Sequence, residues 1–62
     1  MKYIKVPHSG QYNVYFETYV MIDKITCVTD YYIYILGENH AVPTDWTADE
    51  ILNEIRKVEE NG

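Results

Sequence analysis

The sequence predicts one α+β domain over residues 1–62, a small antiparallel sheet of four to five short strands with one C-terminal amphipathic helix packed on one face. Two observations carry this reading. Residues 2–42 alternate apolar and polar positions in short runs broken by Pro, Gly, Asn and Asp, the period of strands in a half-buried sheet. From Thr44 onward the apolar spacing becomes helical and opens on a capping box. Strands first and a helix last place the helix against an antiparallel sheet.

Each element has its own local argument. Lys2–Val6 alternates, with Ile4 and Val6 on one side and Tyr3 and Lys5 on the other, as a short charged first strand does. Pro7-His8-Ser9-Gly10 should then punctuate the chain, because proline has no N–H to donate to a ladder and Ser-Gly favours a turn. Gln11–Ile22 carries the longest period-2 run. Twelve residues is long for a strand, so a bend is expected near Glu17-Thr18 or at Asp23-Lys24. Ile25–Thr29 and Tyr31–Leu36 read as strands around a turn at Asp30. Gly37-Glu38-Asn39 turns the chain again, and His40–Val42 returns as a short last strand before Pro43.

The helix is expected at about residues 48–60. In Thr47-Ala48-Asp49-Glu50 the Thr47 hydroxyl can accept the Glu50 amide proton while the Glu50 carboxylate accepts from the amide of Thr47. Trp46 and Ile51 stand at the two positions of a hydrophobic staple, and Asp49 and Glu50 suit the positive end of the helix dipole. Ile51, Leu52, Ile55 and Val58 form the apolar stripe.

Composition narrows the function. A 62-residue chain buries only about 60% of the surface it exposes when unfolded, so a partner, metal or disulfide often supplements its core. A single cysteine excludes an internal disulfide. No apolar run approaches the roughly 20 residues of a membrane span, and Met1-Lys2-Tyr3 does not lead into a signal-peptide core. A net charge of −5 argues against direct contact with nucleic acid or an anionic membrane. A soluble, cytoplasmic protein is expected.

Catalytic and metal chemistry find little support. His8, Cys27 and His40 include no pair at local ligand spacing, so a buried structural cysteine and two surface histidines are expected, with no metal or other cofactor. Cys27 stands between β-branched residues, with no Lys, Arg or helix start beside it to lower its pKa. Asp49 and Glu50 are accounted for by capping, and three scattered glycines match no phosphate loop. An enzyme is not expected.

Two surfaces remain. Residues 44–62 hold six acidic against two basic side chains, or −4 of the total −5. Asp45, Asp49, Glu50 and Glu54 are the expected docking residues for a protein partner with a basic surface, with Asp45 and Glu54 off the apolar stripe. The plainer account is a solvated helix face that keeps a small protein soluble. The second surface is aromatic. If the helix covers the face bearing Val14, Phe16, Val20, Ile33 and Ile35, then Tyr15, Tyr19, Tyr32 and Tyr34 stand on the opposite face, where a homodimer or partner contact is expected. Ordinary strand preference of tyrosine is the plainer account there.

Ile25, Tyr32-Ile33-Tyr34-Ile35, Ala41-Val42-Pro43 and the amphipathic helix, about half the chain, resemble the strand–strand–helix end of small bacterial PH-like modules. Thr47-Ala48-Asp49-Glu50-Ile51 is similar to a helix start in small phage-encoded inhibitors of uracil-DNA glycosylase. Size, charge and the lack of catalytic groups are similar in kind to small acidic phage proteins of the anti-CRISPR and DNA-mimic type. That likeness implies an inhibitor or regulator of a basic, nucleic-acid-handling protein, in the cytoplasm of a bacterial host. The PH-like likeness implies instead a homodimeric module that binds a peptide or protein through its sheet. A metal-stabilised domain ranks third.

Overall fold

In the computed structural model, which describes residues 1–61, the elements run β1 (Tyr3–Ser9), β2 (Tyr15–Met21), β3 (Ile25–Thr29), β4 (Tyr32–Ile35), β5 (Val42–Pro43) and α1 (Ala48–Asn61). The class is α+β, as the sequence predicts. The five strands divide into two small antiparallel sheets, β1–β2 and β3–β4–β5. α1 packs across both, against β1 and β3. No helix is long and apolar enough to cross a membrane among the described residues.

The core is built where the two periodicities meet. Ile4, Val6, Val20, Ile33 and Ile51 are buried, and Ile22, Ile25, Val28, Ile35, Val42, Trp46, Ile55 and Val58 pack around them. Ile51, Ile55 and Val58 are the helix seam at i, i+4 and i+7. Leu52, expected in that stripe, is exposed, because it lies one residue (about 100°) round the helix from Ile51.

β1 runs past Pro7 to Ser9, longer than the sequence predicts. Pro7 is opposite Glu17, and its carbonyl points away from β2, where it accepts the amide of Asp45 at 2.9 Å. A residue whose polar groups face the outer edge loses no ladder bond by lacking an N–H, so the proline does not end the strand. The shortened element is the run from Gln11. Gln11–Asn13 is a tight turn with Tyr12 and Asn13 in the left-handed region at φ 58° and 62°, closed by Gly10 N–H donating to Val14 O at 2.7 Å. The bend expected at Asp23-Lys24 forms as a turn over Ile22–Lys24, whereas Glu17-Thr18 stays in the strand.

Two expected core residues fall outside. Val14 and Phe16 share the inward side of the β1–β2 hairpin, yet they lie at its far end and are about half exposed. Phe16 stacks on His8 at 6.4 Å and lies against Gly10, where a Cβ would approach its ring to 2.8 Å. Cys27 is exposed rather than buried. Thr26 is an extra residue between the pairs Ile25–Ile35 and Cys27–Tyr34. That bulge lets Ile25 and Val28, three apart, both face the core, and turns Cys27 outward.

Residues 44–48 stitch the sheets together. Buried Thr44 donates its hydroxyl to Pro7 O at 3.0 Å, and the same hydroxyl accepts the Trp46 amide. Tyr31, at φ 72°, accepts from Thr44 N and donates to Trp46 O. The Asp30 carboxylate accepts the Ala48 amide at 2.8 Å, a second cap on the helix start.

Candidate interaction surfaces

Three of the four expected acidic docking residues already have partners within the fold. Asp45 Oδ1 accepts the Ser9 amide at 3.1 Å and Oδ2 accepts the Ser9 hydroxyl at 2.8 Å. His8 Nδ1 lies 3.8 Å from Oδ1, too far for a hydrogen bond. The Ser9 amide, and then its hydroxyl, hold the Asp45 carboxyl below its ordinary range, with a smaller contribution from His8. Asp45 is thus a clamp on β1 as well as a surface charge. The sequence places it off the helix stripe, and the bonds to Ser9, 36 residues away, are what that local reading does not show.

Glu50 completes the capping box: its Oε1 accepts the Thr47 amide at 3.0 Å, and the Glu50 amide donates to the Thr47 hydroxyl at 3.4 Å. Glu54 pairs with Lys57 at 2.9 Å. Of the four, only Asp49 has neither a hydrogen bond nor an ion pair among the described residues. The partners of Asp45 and Glu50 at hydrogen-bonding distance are neutral, so both keep their negative charge and gain a fixed position.

The tyrosines separate into two pairs. Tyr15 and Tyr19 stand on the outward side of β2, and Tyr32 and Tyr34 on β4, all exposed. The pairs belong to different sheets, so no single continuous sheet carries all four. On the β1–β2 face, Tyr3 meets Tyr19 edge-on at 5.4 Å, Lys5 Nζ lies 5.8 Å from the Tyr19 ring centre, and Lys5 pairs with Glu17 at 3.6 Å.

No family model, curated protein or solved structure matches this chain.

One further surface was not legible in the sequence. An apolar groove of about 190 Å³ runs along the outer edge of β2, lined by Thr18 to Met21, Lys24, Ile35 and Val42. One wall is β2, which has a strand on one side only, and the other comes from β4 and β5 through Ile35 and Val42. A strand order was the missing signal, and alternation within one segment does not supply it. Among the described residues no three His, Cys, Asp or Glu side chains gather around a common metal position.

Proposed function

We propose that this protein is a small, non-catalytic interaction module that binds a basic, nucleic-acid-handling protein and inhibits or regulates it, in the manner of phage-type DNA mimics and anti-CRISPR-like proteins. The observation that supports this is charge held in place. Asp45 is fixed by Ser9 and Glu50 by Thr47, with Asp49 between them in sequence and exposed. α1 carries five carboxylates against Arg56 and Lys57, and these two cations pair with Glu60 and Glu54. Carboxylates that need no reordering lose less entropy on docking and steer a cationic groove towards them.

The test uses a panel of purified basic nucleic-acid-binding enzymes, with their nucleic acid as competitor. Asp49→Lys with Glu54→Lys should bind a responding enzyme at least about 10-fold more weakly than wild type at low salt, and wild-type binding should fall steeply as salt rises. Both positions are off the helix seam, so the variant should melt within about 1 kcal/mol of wild type, the cost of a cation at the helix start. Full affinity of that variant for a responding enzyme overturns the acidic reading.

A second reading, a homodimeric or peptide-binding module that uses its sheet, is favoured by the exposed aromatic residues and free edge of β2.

A further inference from the structure

We infer that the free edge of β2 pairs with β2 of a second copy, antiparallel and centred on Thr18, making a continuous four-stranded sheet. The inference deepens the sheet reading and rests on no part of the acidic one.

The hydrogen-bond parity of β2 comes first. In the β1–β2 hairpin, residues whose numbers sum to 24 stand opposite one another. Ile22 N–H donates to Lys2 O and Gly10 N–H to Val14 O, so the even-numbered residues exchange the ladder bonds. The odd residues of β1 face outward: Pro7 O and Ser9 N–H both bond to Asp45. By the same alternation, the N–H and C=O groups of Tyr15, Glu17, Tyr19 and Met21 point to the open side of β2. Apart from Met21 O, which is the first acceptor of the Ile22–Lys24 turn, none of these groups makes a backbone or side-chain hydrogen bond there among the described residues.

A second β2 centred on Thr18 satisfies all of these groups. Tyr15 then stands opposite the second copy's Met21 and Glu17 opposite its Tyr19, each a hydrogen-bonded pair, and the twofold axis repeats both. About six N–H···O=C bonds to unused acceptors result, and the two Tyr15 amides share Met21 O with the Ile22–Lys24 turn. A shift by two residues one way puts Glu17 against the second copy's Glu17, a like-charge pair. The opposite shift puts Tyr19 against Tyr19 and leaves Tyr15 unpaired. Only the central register uses all four outward residues and keeps the carboxylates apart.

Side chains favour the same arrangement. Phe16 points to the core side of the hairpin but has no core to enter. In the central register it faces the second copy's Val20, which lines the groove with Ile35 and Val42. A benzene ring fits an apolar cavity of about 150 Å³, so a groove of about 190 Å³ can take the Phe16 ring. The symmetry makes this exchange twice. The strand itself has no proline, bulge or lysine to deter pairing.

The experiment is light scattering across a concentration series, with two variants. Wild type should approach twice 7.3 kDa. Glu17→Pro removes one outward N–H and no internal ladder bond, so it should keep its circular dichroism and stay at 7.3 kDa. Thr18→Cys with Cys27→Ser should cross-link to itself under mild oxidation. The same experiment with Glu17→Cys should not, since the two 17 positions then lie beyond the roughly 7 Å limit for a disulfide. A wild type of 7.3 kDa throughout the series overturns the inference. A wild-type dimer that survives Glu17→Pro and leaves Thr18→Cys uncross-linked also overturns this register, while the wider sheet reading stands. If Glu17→Pro fails to fold, the two cysteine variants decide alone.

Discussion

Tyr12 holds a left-handed backbone at φ 58° with its side chain almost wholly in water. A side chain there costs roughly 1–2 kcal/mol that no contact of Tyr12 offsets, whereas glycine adopts this conformation freely. Tyr12→Gly should raise the melting temperature by a few degrees, consistent with a gain of up to about 1 kcal/mol in a domain of this size. An unchanged or lower melting temperature counts against this turn geometry. Asp45 is the second residue whose chemistry has a measurable sign. Its folded-state pKa is lowered by Ser9 and, more weakly, His8, so its contribution is full above the unfolded-state value of about 3.9 and is lost as pH falls through the lower folded-state value. Melting temperatures of wild type and Asp45→Asn should therefore differ most near pH 7 and converge as pH drops below about 4. A gap that stays constant with pH removes the charge from the clamp. Neither feature was legible beforehand. The left-handed turn interrupts a run that alternates without a break, and Asp45 meets Ser9 from 36 residues away.

The helix was the most legible element because its signals are local. Thr47, Glu50, Trp46 and Ile51 lie within six residues of one another, and the capping box forms with the donors and acceptors the sequence predicts. Thr47→Ala should cost about 1 kcal/mol. Trp46→Ala should cost about 2 kcal/mol, since a half-buried anchor leaves the core with the staple. Thermal melts in which both variants match wild type would contradict this account of the helix start. Strands were legible in type and in part of their length. The sequence predicts Ile25–Thr29 at its observed bounds, because β-branched residues there meet turn residues at both ends. Pro7 misled, since whether a proline ends a strand depends on which way its missing N–H would point, and that is set by the partner strand. Thr26 misled for a related reason: a bulge changes which residues face inward without changing the alternation that is read.

At the scale of the molecule, the class followed from the order of periodicities, but the division into two sheets did not. Nothing in the local pattern states that Ile22–Lys24 separates β2 from β3 rather than turning one into the other's neighbour. The candidate surfaces share that limit. The acidic residues were legible as charge, while their commitments to Ser9, Thr47 and Lys57 are matters of geometry. The groove beside β2 required the sheet order itself. The joining of residues 44–48 to β1 also bears on time. β1–β2 and β3–β4 are hairpins of near neighbours, and such pairs form in roughly 1–10 μs. The bonds from Thr44 and Asp45 to Pro7 and Ser9 close a loop of more than thirty residues, so their entropic cost falls late in assembly. Contacts absent from the transition state act on the reverse rate. Stopped-flow chevrons should then show Asp45→Asn steepening the loss of native protein while the refolding limb stays where it is, so that this one carboxylate governs how long each folded molecule lasts rather than how quickly it is made.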